Sequence, residues 1–109
     1  MTALPVEIEV EELSLWLEGK GDVALLDVRE DWEVKLCALP GAIHIPLGQV
    51  PARAGEVPKA SRVVVFCHHG GRSLRVTQWL RANGFSQAIN LAGGIHAWAE
   101  RIDPDMATY

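Results

Sequence analysis

The sequence predicts an α/β domain with a five-stranded, mostly parallel sheet and helices on both faces. Two observations carry this. Residues Val23-Ala-Leu-Leu-Asp27, Arg62-Val-Val-Val-Phe66 and Ala88-Ile-Asn-Leu91 have continuous apolar centres, the pattern of strands buried on both faces. Segments with helical spacing alternate with them, which is how parallel strands are connected. A third observation points to chemistry. Cys67 directly follows the run ending at Phe66 and opens Cys67-His-His-Gly-Gly-Arg72-Ser73, just before a helical pattern starts. Open α/β sheets put their ligands at that end of a strand.

Residues 8–10 read as a short strand. Residues 11–18 read as a helix with Leu13, Trp16 and Leu17 on one face and Gly19 as its stop. The strand Val23–Asp27 follows, then a short helix over 29–35, with Trp32 and Leu36 in this stretch. Pro40-Gly41 interrupts the chain before a strand over 42–45. Residues 46–55 form a loop or short helix broken by Pro51. Arg62–Phe66 is the expected central strand, and residues 73–83 form an amphipathic helix stopped by Gly84. Ala88–Leu91 is the fifth strand, Gly93-Gly94 a tight turn and 95–101 the last helix. Residues 102–109 have no periodicity and are expected to be loosely held.

The chain has 109 residues, so one domain over 1–109 is expected. It is 49% apolar and 22% charged, with a net charge of −4. That balance argues against nucleic acid or an anionic membrane as the main partner. No apolar run approaches the roughly 20 residues that span a bilayer, and the first residues show no basic segment leading into an apolar one. Two cysteines are too few for a disulfide framework, so a reducing, cytoplasmic setting is expected.

The loop is locally basic on an acidic protein. A thiol at a helix start meets unpaired N–H groups and a partial positive charge, and both favour the nucleophilic thiolate. Gly70 and Gly71 let the backbone turn sharply and bring its amides close to the sulfur. Arg72 offers a planar fork of donors suited to an oxyanion, and His68 and His69 add donors that gain charge near neutral pH. The result is a small anion-binding cup around a sulfur nucleophile.

These residues resemble those of single-domain rhodaneses, a family of sulfurtransferases, and the resemblance covers most of the chain. It rests on four stretches in order: Leu25-Leu-Asp27-Val-Arg29-Glu30, Pro40-Gly-Ala-Ile-His-Ile-Pro46-Leu, Cys67 to Ser73, and Asn90-Leu-Ala-Gly-Gly94-Ile-His-Ala-Trp98. The resemblance implies a rhodanese-like fold. It also implies a reaction in which Cys67 takes a sulfane sulfur from a donor such as thiosulfate and passes it from a persulfide to cyanide or a thiol. It assigns the loop amides from His68, His69, Gly70, Gly71, Arg72 and Ser73 to the persulfide, and Arg72 to the anionic donor. No cofactor and no metal is implied. Where Gly-His-Ile is frequent in the family, this chain has Cys37-Ala38-Leu39. The segment 102–109 resembles the end of rhodanese domains fused to adenylyltransferases, which pass sulfur to small carrier proteins.

Plainer readings exist for each residue. Cys67 could be a buried structural thiol, which the adjacent glycines, arginine and helix start argue against. Cys37 reads as a filler thiol. His68 and His69 with Cys67 make a poor metal set, because adjacent residues rarely converge on one ion and a structural zinc takes about four ligands. His44 and His96 read as structural. Asp27 reads as a local cap or pair with Arg29 its structural neighbour, and the four tryptophans as core or partner-facing surface.

Four functions compete: a thiosulfate-type sulfurtransferase, a persulfide carrier serving a sulfur-acceptor protein, a phosphatase or arsenate reductase of related architecture, and an inactive regulatory module. A phosphatase loop of this kind places five residues between cysteine and arginine; here there are four, His68 to Gly71. The intact cysteine argues against an inactive module.

Overall fold

The structure is a computed structural model that describes residues 4–19 and 21–109. Five strands, β1 (Glu7–Ile8), β2 (Val23–Asp27), β3 (Ile43–His44), β4 (Arg62–Phe66) and β5 (Ala88–Leu91), form one sheet in the order β1-β5-β4-β2-β3. Every pairing in it is parallel, so the sheet is all-parallel rather than mostly so. The helices are α1 (Val10–Glu18), α2 (Asp31–Leu36), α3 (Gly71–Ala82) and α4 (Gly94–Arg101).

β4 is central, as its composition requires. Val64 and Phe66 face one side, with Val10 and Leu13 of α1 and Ile95 and Ala97 of α4. Val63, Val65 and Cys67 face the other, with Val76 and Leu80 of α3 and with Ile45, Val50 and Val57. Strand side chains alternate between faces, so an unbroken apolar run fills both cores at once. The same alternation puts Cys67, one residue past the strand, on the α3 side.

Element ends differ from the sequence expectation where caps decide them. β1 stops at Ile8 because Glu9 caps α1 and Val10, fully buried, is already helical. α3 starts two residues early, at Gly71, because Gly70 takes a left-handed φ of 104° and turns the chain into the helix. α2 starts at Asp31, not Arg29, because the backbone of Glu30 is extended and its amide donates to the Glu33 side chain. Residues 46–55 resolve into 3-10 turns that begin at Leu47 and Ala54. Of the three residues expected on one face of α1, Leu13 is buried, Leu17 is exposed, and Trp16 lies under the guanidinium of Arg62 at 4.2 Å.

Residues 102–109, expected to be loosely held, make specific contacts with the rest of the domain. Met106 and Tyr109 pack against the core cluster around Phe66, and the Tyr109 ring stacks on His68 at 3.8 Å. A single aromatic anchor has no periodicity, so no pattern in the sequence announces it. Among the described residues, no helix is long and apolar enough to cross a membrane.

Candidate active site

β2 and β4 are parallel neighbours, so whatever follows each strand emerges at the same sheet edge. The segment after β4 is the Cys67 loop, and the segment after β2 carries Arg29 and α2. This adjacency builds the site.

Cys67 Sγ accepts from the Gly70 amide at 3.1 Å, the Ser73 amide at 3.4 Å and the Ser73 hydroxyl at 3.4 Å. The amides of His68, His69, Gly71 and Arg72 make no bond to Sγ itself. Cys67 is only 1% exposed. Burial pushes its pKa up, but the bonds from Ser73 and Gly70 and the charge of Arg72 outweigh it, so the thiol titrates below its ordinary range.

Two glycines let the loop close. The amides of Ile95 and His96, in the first turn of α4, donate to the carbonyls of Cys67 at 2.9 Å and His68 at 3.0 Å. A Cβ on Gly94, whose φ is 59°, would meet both carbonyl oxygens at 2.5 Å. A Cβ on Gly70 would meet the Gly93 nitrogen at 3.1 Å. The turn expected at Gly93-Gly94 is therefore also the clamp on the back of the loop.

The Ser73 hydroxyl has one proton and three acceptors in reach: Asn90 Oδ1 at 2.5 Å, the Gly70 carbonyl at 3.2 Å and Cys67 Sγ. Asn90 Nδ2 donates to Glu7 Oε2 at 2.7 Å and to the Gly70 carbonyl at 3.2 Å, which orients the amide. Replacing Ser73 with alanine removes the hydroxyl and keeps the amide. The midpoint of Cys67 alkylation by iodoacetamide should then move to higher pH, and the rate at neutral pH should fall about threefold. An unchanged pH profile would show that the Ser73 hydroxyl donates to Asn90 Oδ1 alone and takes no part in stabilising the thiolate.

Arg72 does not point its fork at the sulfur. Its Nη1 and Nη2 donate to Oε1 and Oε2 of Glu33, both at 2.8 Å. Glu33 is nearly buried and each of its oxygens accepts twice: Oε1 also from the Glu30 amide at 2.9 Å, Oε2 also from the Tyr109 hydroxyl at 2.7 Å. The bond from Arg72 dominates and holds the Glu33 carboxyl down at about 2. Burial works the other way on Tyr109 and raises its phenol to about 12, so it remains a donor.

Tyr109 Oη accepts in turn from Arg29 Nη1 at 3.1 Å. Arg29 is fully buried and pairs with Asp27 at 2.7 Å. Its remaining donors reach the carbonyls of Glu33 and Cys37. The local pairing of Asp27 with Arg29 expected from sequence is thus present. A continuous chain runs from Asp27 through Arg29, Tyr109 and Glu33 to Arg72.

His68 and His69 lie with His96 in one aromatic group, at centroid separations of 4.0 to 5.8 Å. Burial and the neighbouring His69 lower the His68 pKa. His44 Nε2 donates to the Arg29 carbonyl at 2.7 Å. Cys37 and Cys67 are both free thiols, and Cys37 lies 3.9 Å from Arg29 Nη1. Among the described residues, no group of three or more His, Cys, Asp or Glu side chains could hold a metal. Beside Arg72 lies an apolar groove of about 410 Å³, lined by Leu47, Val50, Pro51, Val76 and Trp79, with Arg75 at its side.

Sequence reasoning missed Glu33, Tyr109 and Asn90. The available signal for Glu33 was topological: residues after neighbouring parallel strands meet at one edge. Nothing comparable marks Tyr109.

A parallel sheet with a cysteine loop at the C-terminal end of its central strand, closed by a helix N-terminus, is the framework on which the comparisons with known proteins agree. The family model described as "Rhodanese-like domain" matches residues 9–101. The chain belongs to the rhodanese-like family. It is 38% identical over 101 residues to a sulfurtransferase of Allochromatium vinosum, covering 93% of this chain and 94% of that protein. It superposes on the human single-domain sulfurtransferase TSTD1 with a TM-score of 0.75 and 31% identity, covering 90% of this chain and 98% of that one. It is 32% identical over 127 residues to the adenylyltransferase and sulfurtransferase MOCS3 of Arabidopsis thaliana, covering all of this chain but 27% of that protein. The protein is a rhodanese-like sulfurtransferase.

Proposed function

We propose that Cys67 carries sulfur as a persulfide, taking it from thiosulfate or a related sulfane donor and passing it to a thiol or to cyanide. The thiolate Sγ attacks the outer sulfur of thiosulfate. The bond from that sulfur to the sulfite sulfur breaks, and sulfite leaves with the bonding pair. The acceptor thiolate then attacks the same outer sulfur and Sγ leaves as the thiolate, ready for the next donor.

The observation that carries this reading is the pair of amides, Gly70 and Ser73, aimed at a nearly buried Sγ. A sulfur this enclosed suits a slim terminal sulfur atom. A phosphoryl group needs donors spread around its equatorial oxygens, and the four residues between Cys67 and Arg72 make a smaller ring. On this reading His68, His69, Gly71 and Arg72 border the outer sulfur, Gly70 and Ser73 hold the inner one, and no cofactor or metal takes part. Two free thiols fit a reducing, cytoplasmic setting.

Mass spectrometry after thiosulfate treatment tests it. The wild-type protein should gain one sulfur, lose it to cyanide, and show no hydrolysis of an aryl phosphate under the same conditions. Phosphate hydrolysis through Cys67 with no sulfur adduct from any sulfane donor would replace this reading with a phosphatase. The likeness to MOCS3 over the whole chain supports a second reading, a persulfide carrier for an acceptor protein. That reading requires the persulfide to form but to turn over only when a sulfur-carrier protein is added.

A further inference from the structure

The charge that the loop offers a donor is decided by a residue outside the loop. Arg72 is the only arginine or lysine between Cys67 and Ser73, and both of its Nη groups are engaged by Glu33. Glu33 is held on all sides: by the Glu30 amide, by the Tyr109 hydroxyl, and through Tyr109 by the buried Arg29. Its side chain is 3% exposed, so it does not relax into water if Arg72 leaves. Glu33 takes one N–H from each Nη, so a dianion meets the remaining hydrogens of a guanidinium whose charge is already offset, and taking the whole fork would leave a buried carboxylate without its partner. A thiol-bound donor needs no such recruitment.

We propose that Glu33 is a positioning residue that sets donor preference, holding Arg72 in a charge-compensated pair so that the site favours thiol-bound sulfane sulfur over dianionic thiosulfate. The proposal rests on the persulfide reading of Cys67. In the favoured reaction Sγ attacks the terminal sulfur of a thiol hydropersulfide. The sulfur–sulfur bond breaks, the thiol leaves as its thiolate, and the proton of the hydropersulfide stays on the new Cys67 persulfide.

The test compares kcat/KM for thiosulfate and for the hydropersulfide of 2-mercaptoethanol in the wild type and in Glu33→Gln. Glutamine keeps the shape and removes the charge. Releasing the Arg72 charge also favours the Cys67 thiolate, but that change acts on both donors, so the ratio isolates the anion effect. The thiosulfate-to-hydropersulfide ratio should rise about tenfold, through a lower KM for thiosulfate, and the inhibition constant of sulfate as a competitor should fall in parallel. A structural role for Glu33 would change both donors alike. An unchanged or lower ratio overturns the proposal.

The wild type gives a second check that does not depend on the variant folding. With the charge compensated, the KM for thiosulfate should stay within about twofold as ionic strength rises. A KM that climbs about tenfold reveals a free cation at the site and overturns the proposal. Absence of a sulfur adduct with either donor overturns the persulfide reading and this proposal with it. Adducts from both donors with an unchanged ratio overturn the role of Glu33 alone.

Discussion

Replacing Cys67 with serine is expected to abolish the sulfur adduct and to lower turnover by at least about a thousandfold, the scale of losing a covalent nucleophile. A serine hydroxyl in this loop has no base beside it. The groups that surround Sγ, the Gly70 and Ser73 amides and the Ser73 hydroxyl, stabilise an anion and do not generate one. A thiol whose pKa is lowered by these bonds gives up its proton far more readily than an alcohol does. The matching control is Cys37→Ser. Cys37 is a half-buried thiol whose neighbour is the structural Arg29, and its loss should leave the adduct and the turnover intact. If Cys67→Ser still gains sulfur and Cys37→Ser loses it, the two cysteines have been assigned the wrong way round.

The largest stability effect is expected at Arg29. Methionine there approximates the buried stem but removes five N–H donors. Asp27, 1% exposed, would keep its charge with no cation beside it and only the backbone amide of residue 29 bonded to it. Breaking one side of a buried ion pair typically costs about 3–5 kcal/mol, a large part of the roughly 5–15 kcal/mol that holds a domain together. The variant also strands the Cys37 carbonyl, leaves the Glu33 carbonyl with the Cys37 amide alone, and loosens Tyr109. Urea unfolding should show the loss directly. The double variant Asp27→Leu with Arg29→Met removes both charges and should recover much of the stability. A single Arg29→Met variant within about 1 kcal/mol of wild type would mean that water or rearrangement satisfies Asp27, and the pair would then not be the anchor described above.

The sheet was legible because its signals are local. The strands Val23–Asp27, Arg62–Phe66 and Ala88–Leu91 are found at the bounds their apolar runs predict. Burial on both faces leaves no polar alternation to confuse with another element. The short edge strands were less legible. β1 and β3 have two residues each, and their ends are set by the cap of α1 and by the turn at Pro40-Gly41 rather than by any run of residues. Helix starts were displaced for the same reason: Gly70 and Glu30 fix them through backbone geometry, which composition does not encode.

The sequence by itself determined the two-sided sheet, the position of Cys67 at the end of its central strand and the four-residue spacing to Arg72. Each follows from neighbours a few residues apart. Only the tertiary structure decided what Arg72 does. Its partner Glu33 lies 39 residues away, and Tyr109, which holds Glu33 from the other side, lies 76 residues beyond it. Those three meet because β2 and β4 are parallel neighbours that deliver α2 and the Cys67 loop to one sheet edge, and because one aromatic ring finds His68 to stack on. A bidentate ion pair needs its partners placed to within a few tenths of an ångström, and that placement belongs to the packed sheet and helices, not to the order of residues along the chain.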